Sequence, residues 1–168
     1  MRRLILFRHG KTEDRGAGGE DIDRVLTAGG RADSLRVAHA MAALGFAPDL
    51  VLLSPAARAR QTWDEALPAM PAVAVEIRPG LYDATAEEVA DEISTATTAA
   101  DTVLVVGHNP SLQELAVNLL IEGGADASDI ERLSAGFPTA AAAVMAIDGG
   151  GGRLEALILA SACRDGGE

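Results

Sequence analysis

Three short apolar runs punctuate the chain, and each stops abruptly on polar residues: Leu4 to Phe7 before Arg8-His9-Gly10, Asp49 to Leu53 before Ser54-Pro55, and Thr102 to Val106 before Gly107-His108. Continuous β-prone runs of this length read as strands buried on both faces. Between them the spacing turns helical. After Thr27, the residues Leu35, Ala38, Met41, Ala42 and Leu44 predict a helix stopped by Gly45. Ser54 reads as the cap and Pro55 as the first position of a second helix, which places Arg58 in or just past its first turn and ends at Pro68 and Pro71. Val73 to Ile77 alternates like a strand nearer an edge, and Thr85-Ala86-Glu87-Glu88 is a capping-box pattern opening a helix to about residue 99. Asn109 and Pro110 repeat the cap-and-proline signal for a helix to about Ile121, with Leu112, Leu115, Ala116, Leu119 and Leu120 facing inward. Residues 125–136 read as acidic and irregular, with one short helical turn. The apolar runs 140–148 and 153–160 flank Gly149 to Gly152 as a hairpin with a loose glycine loop, and Ser161 onward reads as a frayed tail.

Strands alternating with helices predict an α/β protein: a three-layer sandwich with a mainly parallel central sheet and helices on both faces. The 168 residues fit a single domain spanning 1–168. Hydrophobic residues make up 48% of the chain but aromatics only 3%, so the core is expected to be built from Ala, Val, Leu and Ile. The net charge of −11 and the absence of a basic run argue against nucleic acid and anionic membrane surfaces as partners. A lone cysteine, Cys163, rules out a disulfide within the chain and suits a reducing compartment. The apolar run after Arg2-Arg3 is too short for a signal peptide or a membrane span, so a soluble, cytoplasmic protein is expected.

The chemistry concentrates at the carboxyl ends of the strands, where open parallel sheets bind ligands. The three core strands deliver Arg8 and His9, Arg58, and His108 to that edge. Guanidinium forks match phosphate oxygens, helix starts favour anions, and histidine can attack phosphorus. A metal site fits poorly: the adjacent arginines repel a cation, and neither a carboxylate cluster nor His-x-x-x-His spacing occurs. There is no Gly-x-Ser-x-Gly elbow and no Gly-x-x-x-x-Gly-Lys phosphate loop. Gly10, Thr12 and Asn109 sit in the same strand-end segments and are expected to touch substrate. The polar loop from Glu13 to Arg24 is placed as a rim near Arg8 and His9, with Lys11 beside it. Tyr82 and Asp83 read as capping and packing residues, and His39 as a surface or packing histidine.

Arg8-His9-Gly10, the segment Ser54 to Thr62, and Gly107-His108-Asn109-Pro110 together resemble the histidine phosphatase superfamily, in the branch containing phosphoglycerate mutase. The short chain is most similar to the phosphohistidine phosphatase SixA group, as are Asp23-Arg24-Val25-Leu26-Thr27 and Leu81-Tyr82. The resemblance implies a phosphoglycerate mutase-like fold and an enzyme that needs neither cofactor nor metal. His9 would become phosphohistidine, Arg8, Arg58 and His108 would hold the phosphoryl oxygens, and water would release inorganic phosphate. Ester-cleaving relatives add an acid for the leaving group, for which Asp83 is the candidate by position. Arg15 stands where the mutase branch commonly has asparagine. The short connections leave no room for lid insertions, which favours a protein-borne phosphohistidine as substrate. A small phosphorylated molecule, or a non-catalytic phosphoryl-binding role, is the alternative.

Overall fold

In the computed structural model, which describes residues 1–14, 19–96 and 99–164, six strands form one mixed sheet. The strands are β1 (Arg3–Arg8), β2 (Leu50–Leu53), β3 (Ala74–Ile77), β4 (Thr102–Gly107), β5 (Ala142–Asp148) and β6 (Gly151–Ile158), in the order β3-β2-β4-β1-β5-β6. The first four run parallel, with Arg8 opposite Gly107 and Leu53 opposite Val106, while β5 and β6 add an antiparallel hairpin beside β1. That register brings the end of β1 alongside one edge of the end of β4, and β2 finishes along the other edge of β4. The His9 amide donates to the Gly107 carbonyl and the Ser54 amide to the Val106 carbonyl, extending the ladder into the polar segments.

Alternation along each strand sends residues to opposite faces. Ile5, Phe7, Val51, Leu53, Leu104 and Val106 pack against the helices α1 (Ala28–Ala43) and α2 (Ala57–Ala66) through Val37, Met41 and Trp63. Leu4, Leu6, Leu50, Leu52, Val103 and Val105 face α3 (Ala86–Thr95), α4 (Ser111–Glu122) and α5 (Ala127–Ala135) through Val89, Leu112, Leu120 and Leu133. Each buried Leu, Ile or Phe contributes about 1.5–3 kcal/mol relative to exposure, so this two-sided burial gives a firm base to the strand ends. This is the predicted three-layer α/β sandwich with a mostly parallel sheet. No helix among the described residues is long and apolar enough to cross a membrane.

Local departures from expectation have physical causes. The buried face of α1 is Gly30, Ser34, Val37, Ala38 and Met41, while Leu44 is 59% exposed and Ala42 faces solvent. Small residues line this face because the loop after β1 lies directly on it: a Cβ on Gly10 would sit 2.6 Å from the Gly30 carbonyl and 2.7 Å from Ser34 Oγ. Residues 127–135 form a two-turn helix rather than a single turn, anchored by buried Leu133 and by Ile130. The tetraglycine is not a loose loop. Gly149 and Gly150 make the turn at φ 59° and 97°, the left-handed region glycine tolerates, and Gly151 and Gly152 already belong to β6. The helix after Asp83 ends at Thr95, and residues 162–164 form a short 3-10 turn; the rest of the expected tail lies outside the described residues.

Candidate active site

Arg8, His9, Arg58 and His108 converge at the carboxyl edge of the sheet, as their positions after β1, β2 and β4 predict. The rings of His9 and His108 lie 5.2 Å apart, centroid to centroid. His9 Nδ1 is 2.8 Å from the Gly10 carbonyl oxygen. A carbonyl only accepts, so Nδ1 carries the proton and Nε2 keeps a lone pair. Burial lowers the His9 pKa to about 4, reinforced by the Arg58, Arg8 and Arg24 cations and partly opposed by the Gly10 hydrogen bond. The His108 pKa falls to about 3, mainly through burial and then through His9 and Arg58. Both rings are therefore neutral at pH 7.

The arginines are oriented by the backbone and by one carboxylate. Arg8 Nη1 donates to the Phe137 carbonyl at 2.7 Å, its Nε has no partner in the protein, and burial pulls its pKa below the ordinary arginine value. Arg58, only 7% exposed, donates through Nη1 to the Asp21 carbonyl oxygen at 2.7 Å and through Nη2 to Asp21 Oδ2 at 3.0 Å. The same Oδ2 accepts the Tyr82 hydroxyl at 2.8 Å, and Oδ1 accepts from Arg24 at 3.2 Å. These bonds, the tyrosine's first, drop the Asp21 pKa to about 2; in return the carboxylate raises that of Tyr82. Tyr82 stands edge-on to His108 at 5.9 Å, with the Arg58 guanidinium carbon 5.8 Å from its ring centre.

Among site residues, Arg8 Nε, His108 Nδ1 and Asn109 Oδ1 are enclosed polar atoms without a protein partner. An unpaired Arg8 N–H beside the Arg58 guanidinium forms a place for an anion. Among the described residues, no group of three or more His, Cys, Asp or Glu side chains could hold a metal ion.

A sequence model of the histidine phosphatase superfamily, branch 1, matches residues 4–87, half of the chain. The chain belongs to that superfamily. Two solved members with similar folds are SixA of Agrobacterium tumefaciens, at 30% identity and a TM-score of 0.82 over 94% of this chain and 97% of that one, and SixA of Nakamurella multipartitia, at 31% and 0.75 over 93% and 94%. An uncharacterized protein of Mycobacterium tuberculosis is 41% identical over 103 residues, covering 61% of this chain and 63% of its own. That match spans less than two thirds of the relative's length.

In this superfamily member, the other residues expected at the site are placed differently from one another. The Gly10 amide donates to Thr62 Oγ1 at 3.0 Å, and Thr62 in turn donates to the Arg58 carbonyl at 2.8 Å. Gly10 thus ties the His9 loop to α2. Thr12 Oγ1 accepts from Arg24 at 2.6 Å, and Thr12 bridges to Leu26. Asn109 is not a helix cap: Pro110 holds that position, and Asn109 Nδ2 donates to Gln113 and to the Phe137 carbonyl, at 3.1 Å each, leaving Oδ1 enclosed without a partner. Ser54 is not a cap either, since α2 starts from Ala56 with no side-chain cap. Ser54 Oγ sits 2.7 Å from His108 Nε2 instead. Asp83 is exposed at φ 55° and hydrogen-bonds to nothing among the described residues. His39 and Lys11 are exposed, and Arg15 lies outside the described residues.

Asp21, Tyr82 and Ser54 are the members that sequence reasoning missed or read as packing. The spacing of Ser54 and Pro55 imitated a cap, and only the pairing of β2 with β4 turns the serine toward His108. Asp21 had one signal, its place in the polar loop expected to rim the site.

Proposed function

We propose that the protein is a phosphatase that removes phosphate from a protein phosphohistidine through a covalent phosphohistidine on His9. One observation carries this reading: a neutral imidazole whose Nδ1–H is held by a carbonyl presents a free Nε2 lone pair among arginines. In the first step that lone pair forms a bond to phosphorus. The P–N bond to the substrate histidine breaks, its electron pair leaves with that ring nitrogen, and the nitrogen takes a proton from solvent. Arg8, Arg58 and His108 donate to the non-bridging oxygens, whose charge they stabilise in the transition state. In the second step a water oxygen attacks phosphorus, the Nε2–P bond breaks, and inorganic phosphate departs from a neutral His9.

The leaving group follows from the site's protons. An alkoxide needs an acid, whereas an imidazole nitrogen is a comparatively good leaving group. Asp21, the carboxylate in the cluster, is held ionised far below neutral pH, and Tyr82 is made a weaker acid by it. Neither is suited to protonate an alkoxide. The two SixA proteins, each described as a candidate phosphohistidine phosphatase, lend support to the same substrate class. The test is to compare kcat/KM for a phosphohistidine-bearing phosphotransfer domain with that for a panel of sugar phosphates. Higher values for the protein substrate are expected; higher values for the esters would overturn the assignment.

A further inference from the structure

His108 poses a question that its burial does not answer: which ring nitrogen carries the single proton of the neutral imidazole? His108 is 8% exposed, so both ring nitrogens need accounting. Nε2 meets Ser54 Oγ at 2.7 Å, and Nδ1 meets no protein group. A hydroxyl can either donate to Nε2 or accept from it. If Nε2 carried the proton, Nδ1 would be a bare acceptor, unable to bond an anionic phosphoryl oxygen.

The surroundings of Ser54 favour one choice. Ser54 is wholly buried at the junction of β2 and α2. Its oxygen already accepts the Ala56 amide at 3.4 Å, a long bond that nonetheless directs a donor at the lone pairs. Among the described residues, the hydroxyl proton then has one hydrogen-bond partner able to accept it, His108 Nε2. The nearby cations Arg58 and Arg8 also disfavour a second proton on the ring.

We infer that Ser54 is a positioning residue that donates to His108 Nε2, fixing the proton on Nδ1 so that a neutral His108 donates from Nδ1 to a phosphoryl oxygen. This rests on the phosphatase reading for its consequence but not for its geometry. No charge change is needed: His108 stays neutral throughout and gives a directional bond, while the arginines supply the positive charge. His9 and His108 would thus share the Nδ1–H tautomer but use opposite nitrogens, Nε2 to attack and Nδ1 to donate.

Long-range ¹H–¹⁵N correlation spectra of the full chain at pH 7 report the tautomer directly. The signals are assigned with His9→Gln and His39→Gln variants and compared in Ser54→Ala and Ser54→Thr. In the wild type, the His108 ring is expected as the Nδ1–H tautomer. Ser54→Ala is expected to shift it wholly or partly to Nε2–H and to reduce phosphohistidine turnover about 10-fold or more. Ser54→Thr, which keeps the hydroxyl, should restore both. An Nε2–H ring in the wild type would overturn the inference, as would a ring and a rate unchanged in Ser54→Ala. A correct tautomer in a protein that does not turn over phosphohistidine would instead sink the proposed function and leave the Ser54 contact standing.

Discussion

The ends of β1 and β4 lie side by side and carry the same side chain, buried almost equally: His9 is 9% exposed and His108 8%. Burial depresses both rings, so it cannot be what separates their roles. The difference lies in the oxygen beside each ring. Gly10 offers a carbonyl to His9 Nδ1, and Ser54 offers a hydroxyl to His108 Nε2. One partner frees Nε2 as a lone pair, and the other leaves Nδ1 for a ligand. Under the proposed mechanism, two strand ends of one sheet would thus supply a nucleophile and a donor from a single residue type, because the loop after β1 and the segment after β2 present different atoms.

The largest test of this comparison is to remove each ring in turn. His9→Gln is expected to lower kcat by about 10⁴-fold or more, as loss of a nucleophile does. His108→Gln, which removes a donor, should cost about 10²–10³-fold. Equal losses in steady-state assays would erase the distinction. A smaller effect is expected from Asp21→Asn, which weakens the tether on Arg58 and Tyr82 without touching either histidine. Turnover should fall about 10-fold to 10²-fold, the range for a misplaced binding group. An unchanged rate would show that Arg58 needs no such anchor.

The smallest effect is on stability. The folded rings titrate at about 4 and 3, below the ordinary histidine value of 6.5. As pH falls through 6.5, the unfolded chain takes up protons on these rings while the folded chain does not. Their share of stability is therefore fully present above 6.5 and is lost on going down toward 4 for His9 and toward 3 for His108. Thermal melts should show Tm dropping across that window, with a shallower drop in His108→Gln. Identical slopes would contradict the depressed value for His108.

The fold was legible because its strands are short, unbroken apolar runs ending on glycine or polar residues, the pattern of a sheet covered on both sides. The four residues Arg8, His9, Arg58 and His108 were legible for the same reason, since each lies at a strand end, just after one, or in the first turn of the helix that follows one. What failed to show depends on contacts between distant segments. Leu35 and Leu44 drew the eye on α1, but its packing face is set by the loop pressed against Gly30 and Ser34. The helix at 127–135 has only Ile130 and Leu133 as apolar anchors, too few to stand out in an acidic stretch. Asp21 reaches Arg58 and Tyr82 only because its loop folds back over α2. Ser54 carried a genuine cap signature, and tertiary pairing with His108 overrode it.

The most direct test of the central claim is rapid acid-sparing quench and mass spectrometry after brief exposure to a phosphohistidine-bearing protein, comparing wild type, His9→Gln and His108→Gln. The phosphatase account predicts a phosphoryl group on His9 that chases to free phosphate in the wild type and persists longer in His108→Gln. No adduct should form in His9→Gln. Phosphate release without an adduct on His9, or an adduct that survives His9→Gln, would contradict it.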